Sequence, residues 1–290
     1  ALSSAASDVY KRQDVFGDYS LFQYINRTST PVGKQHLADW FNAHLELKES
    51  IEQRQEAIRE LSTDLEYRQQ IRLFGLLYKG KPADTNEIRK WAGSPSYYRK
   101  HTLLRIIPTV VSIINLICIG SAIVGILPAT VPGGVFFCFV IFSSIFSKGI
   151  TKLQATYGKK LQILSTYADQ ILLTEKKEMN SPVLQQLKTE LTSQNQTASQ
   201  AVRQLSKLMN ALDQRSNLLM STILNGLIFW ELRQVMRIEK WKETHASDLP
   251  RWIETIGEID AYCSLATFTY NHPDYIFPKI SSQSFHLRAE

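Results

Sequence analysis

The feature that most constrains the fold of this chain is a long run without a charged side chain. From Ile106 to Ser147, 42 residues in a row, there is no Asp, Glu, Lys, Arg or His. A membrane-spanning helix needs roughly 20 consecutive apolar residues, so the run is long enough for two helices. The turn-rich string LPATVPGG, Leu127–Gly134, divides it. The sequence therefore predicts a hairpin of two apolar helices within residues 101–150.

The charges beside this run predict how the hairpin is oriented. The turn is uncharged, whereas basic residues flank the run on both sides. Arg99, Lys100 and Arg105 precede it, and Lys148, Lys152, Lys159 and Lys160 follow it. Basic residues stay on the cytoplasmic side of a membrane. We therefore expect localisation to the inner (cytoplasmic) membrane, with the membrane as a partner and the bulk of the chain in the cytoplasm. A hairpin buried inside a soluble helical protein is the alternative.

Helical periodicity extends through the part of the chain that precedes the hairpin. Between residues 18 and 91, apolar residues recur at spacings of three and four, and strand signals are nearly absent. Thr30 followed by Pro31 is typical of a helix start, because threonine caps the helix and proline suits its first position. Asp84 and Glu87 have the spacing of a capping box. This spacing predicts a second helix start there.

The pattern after the hairpin is also helical. Residues 151–173 continue the helix, and residues 180–182, Asn-Ser-Pro, interrupt it. The uncharged run 216–230 is too short for a comfortable membrane span, so we predict a buried core helix. Only residues 275–280 indicate a possible strand. Together these patterns predict an all-α fold.

The sequence contains no recognisable catalytic centre. The string GLLYKGKP, Gly75–Pro82, has the Gly and Lys spacing of a phosphate-binding loop, but proline stands where that loop needs a hydroxyl for Mg²⁺. The cysteines are widely spaced, and no pair of histidines has the spacing of zinc ligands. We predict that this chain is not an enzyme, has no catalytic, cofactor-binding or metal-binding residue, and has no small-molecule substrate.

Basic residues are concentrated after the hairpin. Between Lys148 and Lys242 there are 14 Lys or Arg residues and seven Asp or Glu residues. Such an excess attracts polyanions, either the phosphates of DNA or anionic lipid headgroups. DNA is therefore a candidate partner for non-specific binding, through residues that the sequence does not identify. Solvated faces of long helices explain the same distribution equally well.

The stretch SLFQYINRTSTPVGKQHLADWFNAHLELKESIEQRQEAIREL, Ser20–Leu61, carries a specific motif. It reads as an Arg-Thr-x-Thr-Pro-x-Gly-Lys turn, a Leu-x-x-Trp helix and then Ile-x-x-Arg-Gln-x-x-Ile. The matching residues are Arg27, Thr28, Thr30, Pro31, Gly33, Lys34, Leu37, Trp40, Ile51, Arg54, Gln55, Ala57 and Ile58. This pattern resembles the helical core of the MutS family of DNA mismatch-repair ATPases.

A second stretch, Ile259–Glu290, resembles the end of the MutS lever helix as it enters the ATPase domain. The matching residues are Asp260, Ser264, Leu265, Ala266, Tyr275 and Pro278. In MutS relatives the phosphate-binding loop comes after this point. The resemblance therefore implies that ATP and Mg²⁺ bind in the parent protein, outside this chain.

Between these two stretches lies the apolar hairpin, at the place where MutS repair proteins carry a DNA-gripping clamp. This arrangement resembles the membrane-associated MutS-related proteins of Bacteroidetes-type bacteria. The string QLSKLMNALDQRSNLL, with residues 211–215, is also similar to theirs. The wedge domain that detects mismatches is not visible in the sequence.

The motifs divide the chain into five predicted segments. The string DVYKRQ resembles a translated sequencing adapter, so we interpret residues 1–13 as a library scar. Residues 14–100 are the first half of a MutS-like core, 101–150 the transmembrane hairpin, 151–272 a helical arm with the second half of the core and the lever, and 273–290 the start of a truncated ATPase domain.

The resemblance also implies a function. It predicts the core and lever scaffold of a membrane-anchored, MutS-related repair-type ATPase, which couples ATP state to DNA binding in the full-length protein and forms a homodimer there. The alternative is a membrane-tethered helical module that binds a protein partner and has no DNA role. Intact ATP-binding motifs in the parent protein would favour the scaffold.

Overall fold

The computed structural model describes residues 15–77, 82–192, 197–213 and 218–281. In these ranges the chain is helical and forms no strand, which confirms the predicted all-α fold. The helices are α1 (Leu21–Ile25), α2 (Pro31–Asn42), α3 (Lys48–Thr63), α4 (Leu65–Leu77), α5 (Pro82–Ala92), α6 (Thr102–Ile123), α7 (Thr130–Lys176), α8 (Pro182–Glu190), α9 (Ala198–Asp213), α10 (Leu218–Ile228), α11 (Trp230–His245) and α12 (Asp248–Asn271). The predicted library scar lies outside the described residues.

The chain folds into two compact units. The first comprises residues 1–85, 166–199 and 250–290, and the second comprises residues 86–165 and 200–249. Each unit is therefore assembled from segments that are distant in sequence. Helix α7 contributes residues to both.

In the first unit, α2 begins where the sequence predicts. Thr30 is its N-cap and accepts the N–H of Gly33 on its Oγ1 atom at 3.0 Å, and Pro31 occupies the first helical position. The buried face of α2 packs against α1 and α12 in a core cluster formed by Phe22, Leu37, Ala38 and Ala261.

The second predicted helix start is wrong. Helix α5 begins at Pro82, two residues before Asp84. Proline at the first helical position already has the φ that a helix requires, and it lacks an N–H that the first turn would leave unpaired. Among the described residues, Asp84 therefore lies within α5 and not at its N-cap.

The strand predicted at residues 275–280 is also wrong, because this segment is irregular. Side chains of α3 contact it. Gln55 Nε2 donates to the carbonyl oxygen of Pro278 at 3.0 Å, and the Arg59 guanidinium lies 4.6 Å from the centre of the Phe277 ring. A strand needs a neighbouring strand for its backbone hydrogen bonds, and the described residues offer none.

In the second unit, α10 and α11 meet at a sharp break. Phe229 lies between them with φ 51°, a left-handed conformation that cannot continue a right-handed helix. Across the break, the Glu231 N–H donates to Asn225 Oδ1 at 3.0 Å, and Asn225 Nδ2 donates to Glu231 Oε1 at 2.9 Å. Asn115 of α6 donates to two of the last carbonyls of α10, at 3.0 Å each. The polar groups at the break are thus paired.

The uncharged run forms α6 and the first part of α7, with residues 124–129 between them. The sequence therefore predicted two apolar helices correctly. The turn is earlier than predicted, because α7 begins at Thr130 and includes Pro132. A proline is tolerated in the first turn of a helix, where its missing N–H has no partner in any case. Helix α7 then continues without a break to Lys176 and contains the helix predicted at 151–173.

One face of α6 packs against protein, through Pro108, Val111 and Asn115. Much of the remaining surface of α6 and of the first part of α7 is apolar and exposed. The large exposed side chains of these helices and of the turn between them include Leu103, Ile106, Ile113, Leu116, Ile117, Ile123, Val124, Ile126, Phe137, Ile141 and Ile145. Both helices have the length and composition to cross a membrane.

Helix α10 is not the fully buried core helix predicted for residues 216–230. One side of α10 packs closely, and a Cβ atom on Gly226 would overlap the Phe136 ring of α7. The opposite side carries exposed apolar residues, Leu219, Met220 and Ile223. Helix α10 therefore shares the exposed apolar character of the two longer helices that it contacts.

Candidate functional site

Motif residues from the two ends of the chain meet around the carboxylate of Asp260. This residue lies on α12 and is 2% exposed. Its Oδ2 atom accepts the backbone N–H groups of Ser29 and Thr30 at 2.9 and 2.8 Å, and also the Thr30 hydroxyl at 2.8 Å. Its Oδ1 atom accepts the Ser29 hydroxyl at 3.1 Å. Four donors from one short loop thus surround a single carboxylate, an arrangement that we call the Asp260 junction.

Thr30 links this carboxylate to the start of α2. Its hydroxyl donates to Asp260 and accepts the N–H of Gly33. A negative charge close to a helix N-terminus is favourable, because the unpaired N–H groups there carry partial positive charge. The N-cap of α2 and the carboxylate of α12 therefore form one continuous chain of hydrogen bonds.

Ser264 holds the same loop one helical turn further along α12. Its hydroxyl donates to the carbonyl oxygen of Ile25 at 2.9 Å and accepts the N–H of Arg27 at 2.7 Å. Within the loop, Asn26 Oδ1 accepts the N–H and the hydroxyl of Thr28 at 3.1 and 2.6 Å. The loop conformation is therefore fixed both by its own side chains and by α12.

Burial raises the pKa of Asp260 to about 6, while the hydrogen bonds from Thr30 and Ser29 oppose that rise. An ionised carboxylate can accept hydrogen bonds but has none to donate, and its four neighbours are all donors. The carboxylate is therefore mainly ionised at neutral pH, and its hydrogen bonds offset part of the cost of burying a charge.

Three glycines allow the helices to approach this loop. A Cβ on Gly33 would lie 2.9 Å from the Cβ of Asp260, and a Cβ on Gly257 would lie 2.8 Å from the Cβ of Val32. A Cβ on Gly75 would lie 2.5 Å from the Cβ of Ser29. All three distances are too short for carbon atoms that are not bonded. Gly75, the first residue of the string that resembled a phosphate-binding loop, thus has a packing role; residues 78–81 of that string lie outside the described residues.

The second half of the first motif forms an aromatic contact beside the junction. The Arg54 guanidinium lies 4.2 Å from the centre of the Trp40 ring, and Trp40 packs on Tyr262 of α12 with ring centres 4.7 Å apart. Burial raises the pKa of Tyr262, and Arg54 opposes that rise. Trp40 is therefore held between a cation from α3 and an aromatic ring from α12.

The other motif residues have simpler positions. Leu265 packs against the core cluster around Phe22, and Ala266 is completely buried. Lys34 is exposed on α2 and does not contact Asp260 among the described residues. Gln214 and Arg215, from the string similar to the membrane-associated relatives, lie outside the described residues.

Sequence reasoning missed three residues of this site, namely Ser29, Gly257 and Tyr262. Ser29 stands beside Thr30 in the polar loop, and its proximity to a helix cap was an available signal. Gly257 and Tyr262 lie one turn or less from Asp260 on α12. Nothing in the local sequence marks them, because their importance depends on which helix packs against them.

The arrangement around Asp260 holds helices and a loop together. The donors around Asp260 are already paired with it, and among the described residues no group of three His, Cys, Asp or Glu side chains could hold a metal ion. A cavity of about 190 Å³ lies nearby, lined in part by Tyr24, Arg27 and His272. Two of these lining residues are hydrogen-bonded to each other, with the Tyr24 hydroxyl 2.9 Å from His272 Nε2.

Comparison with known proteins gives one result for this chain. A family model described as MutS domain III matches residues 7–266. No curated protein and no solved structure matches the chain. The matched range includes Asp260, Ser264, the loop that they hold and both apolar helices.

We expect Gly33→Ala to destabilise the first unit, because the new methyl group would overlap a carboxylate that four hydrogen bonds hold in place. The free energy of unfolding should fall by roughly 1–3 kcal/mol, the usual cost of overpacking. Urea unfolding in mild detergent measures it. The control is Gly93→Ala, whose Cβ would meet only the Arg89 carbonyl at 3.6 Å. Equal losses in both variants would show that the close approach at Gly33 has no special cost.

The raised pKa of Asp260 predicts a pH dependence of stability. The folded value of about 6 exceeds the ordinary value of 3.8, so the folded chain binds this proton more tightly than the unfolded chain. This contribution to stability is complete below pH 3.8 and is lost as the pH rises through 6. The unfolding free energy of the wild type minus that of Asp260→Asn should therefore fall by roughly 3 kcal/mol between pH 4 and 7.

Denaturant unfolding at several pH values measures this difference. Asp39→Asn, an exposed position on α2, is the matched control. A fall of the same size in the control would attribute the effect to other carboxylates. A difference that rises with pH would mean that the hydrogen bonds outweigh burial at Asp260.

Proposed function

The chain belongs to the MutS domain III family, and on that premise we propose that it is the core and lever scaffold of a membrane-anchored, MutS-related ATPase. In the full-length protein the scaffold couples the ATP state of a separate domain to DNA binding. The scaffold itself carries out no catalysis. The likeness to the membrane-associated proteins of Bacteroidetes-type bacteria is part of the same proposal.

The Asp260 junction is the observation that carries the proposal. Helix α12 has 24 residues, a length of about 36 Å at 1.5 Å per residue. The junction joins this helix to the loop before α2 through two backbone N–H groups and two hydroxyls. Because packed elements move as rigid bodies, a displacement of α12 is passed on to α2. Such a connection suits an element that transmits a conformational state.

The segment after α12 supports a coupling that begins in the ATPase domain. It follows the lever-like helix and resembles the start of the MutS ATPase domain. Gln55 and Arg59 of α3 contact it at Pro278 and Phe277. A change in the ATPase domain therefore reaches both α12 and α3.

The exposed apolar surface of α6 and α7 supports the membrane anchor. Contiguous exposed apolar surface is costly in water and is typical of a membrane or protein contact. The first 18 residues of α7 include no buried residue. Basic residues stand at both cytoplasmic ends of the hairpin, so the inner membrane is the proposed location.

DNA and a second copy of the full-length protein are the proposed partners. Both follow from the resemblance to MutS repair proteins, and ATP with Mg²⁺ is assigned to the parent protein on the same basis. Binding of DNA by this chain is non-specific in the proposal, because contacts to phosphate carry no sequence information.

We expect the chain to sediment with membranes, to resist extraction by high salt and to dissolve in detergent. The variant Leu116→Lys/Ile141→Lys places two charges on exposed apolar positions of the hairpin, 73% and 68% exposed. It should move to the soluble fraction, because each lysine costs roughly 2.5–3.5 kcal/mol within a membrane helix.

The control for this experiment is Leu73→Lys/Leu76→Lys, which changes two exposed leucines of α4 outside the hairpin, 55% and 54% exposed. This variant should stay in the membrane fraction. A wild-type chain that is monodisperse and soluble without detergent would refute the anchor and favour a hairpin buried in an assembly.

The coupling is tested in the full-length protein with Asp260→Asn. ATP should alter DNA affinity in the wild type within the 5- to 150-fold range typical of coupled sites, and the variant should lose most of this effect while it still binds ATP. Asp39→Asn is the control. Unchanged coupling in Asp260→Asn would refute the role of the junction, and absence of DNA binding in the wild type would favour the protein-interaction module.

A further inference from the structure

The second unit contains a cavity whose lining is dominated by cations. Its volume is about 210 Å³. The lining consists of Arg99, Arg105, Pro108, Thr109, Arg233, Met236, Arg237 and Lys240. Five of these eight residues are basic, and none is acidic. We call this cavity the basic pocket.

Two helices form the walls of the basic pocket. Arg233, Arg237 and Lys240 have spacings of four and three on α11, so they lie on one face of that helix. Helix α6 contributes its first two turns. Arg233 Nη2 joins the two walls, because it donates to the Pro108 carbonyl oxygen at 3.0 Å and to Ser112 Oγ at 3.1 Å. The pocket is thus built from the packing of α6 on α11.

Most of the positive charge in the pocket is not neutralised by the protein. Arg99 forms an ion pair with Glu243 at 2.8 Å. Arg105, Arg237 and Lys240 are exposed and, within the described part of the chain, form no ion pair. The Nε atom of Arg233 is buried and has no partner among the described residues. Concentrated cations of this kind fit a phosphate group, which guanidinium groups bind through paired N–H donors.

The position of the pocket, at the start of the apolar helix α6, favours a phosphate group that belongs to a lipid. Arg105 immediately precedes the charge-free run, and exposed Ile106 and Val110 stand on α6 beside the pocket lining. In the proposed membrane orientation, this end of α6 lies at the level of the cytoplasmic headgroups. A lipid with its phosphate in the pocket could therefore place its acyl chains along the apolar surface of α6.

We propose that the basic pocket binds the phosphate group of an anionic phospholipid. This inference rests on the proposed membrane hairpin. An anionic lipid is favoured over a zwitterionic one, because the choline cation of phosphatidylcholine would be repelled by the surrounding basic residues. Duplex DNA fits less well, because its phosphates bring no apolar group to contact the exposed Ile106 and Val110 beside the basic residues.

The test compares binding of the complete chain to two kinds of vesicle by co-sedimentation. One is phosphatidylcholine alone, and the other is phosphatidylcholine mixed with phosphatidylglycerol. The pocket variant is Arg105→Gln/Arg237→Gln/Lys240→Gln. The control is Lys90→Gln/Arg203→Gln/Lys207→Gln, which removes the same charge from exposed positions of the same unit outside the pocket.

We expect the wild type and the control to prefer the anionic vesicles, and the pocket variant to lose at least tenfold of that preference. Each basic residue near an anionic surface strengthens binding by roughly fivefold. Equal losses in the pocket variant and the control would overturn the proposal in favour of general surface charge. If the wild type binds both kinds of vesicle without an anionic preference, the proposed phospholipid site is wrong, but the membrane hairpin is still supported.

Two competitors distinguish the sources of phosphate. Millimolar inorganic phosphate should not abolish the preference for anionic vesicles, because it has no acyl chains to occupy the surface of α6. If inorganic phosphate abolishes the preference for anionic vesicles, the pocket binds free phosphate, and the proposal of a bound phospholipid is wrong. If duplex DNA abolishes the preference for anionic vesicles, and if only the pocket variant loses DNA binding, the pocket binds DNA.

The vesicle comparison also separates this inference from the proposed membrane anchor. Binding to anionic vesicles but not to phosphatidylcholine would refute the hairpin anchor and still support the phospholipid site.

Discussion

The first unit depends on a buried carboxylate that accepts hydrogen bonds from consecutive backbone N–H groups. A carboxylate buried without partners would be strongly destabilising. At Asp260, Ser29 and Thr30 offset part of this cost by supplying two N–H groups and two hydroxyls. The loop depends on the carboxylate in turn, since its N–H groups would otherwise be buried and unpaired. These hydrogen bonds hold the start of α2 against α12, at the position where Gly33 allows the two helices to approach closely.

The same interaction recurs in the second unit. Glu239 on α11 is buried, and its carboxylate accepts the backbone N–H groups of residues 97, 98 and 99 at 2.9, 3.2 and 2.7 Å. These residues lie shortly before α6, which begins at Thr102, so an acid on α11 holds the segment that leads into the first apolar helix. Arg233 then bonds to α6 at Pro108, two turns along. In both units, a late helix holds the loop that precedes an early one by means of a carboxylate.

Hydrogen bonds of this kind fix the apolar helix α6 to helices that carry polar and charged residues. Helix α6 is apolar enough to enter a membrane, yet one of its faces contacts helices that carry charged residues. The contacts with α10 and α11 limit how α6 can tilt or rotate relative to them, because Asn115 and Arg233 bond to defined backbone groups. A scaffold that transmits a conformational state needs such fixed connections, since a flexible link would absorb the movement.

The sequence by itself determined the helical class, the two apolar helices and the start of α2, because each depends on the spacing and polarity of residues that are neighbours in the chain. Family resemblance also marked Asp260 and Thr30 as important. Only the tertiary structure decided that these two residues bond to each other, that Gly257 and Gly75 permit close packing, and that cations from α6 and α11 line one pocket. Asp260 and Thr30 are 230 positions apart, and the geometry of such contacts is set by how helices pack, a property that no local pattern encodes.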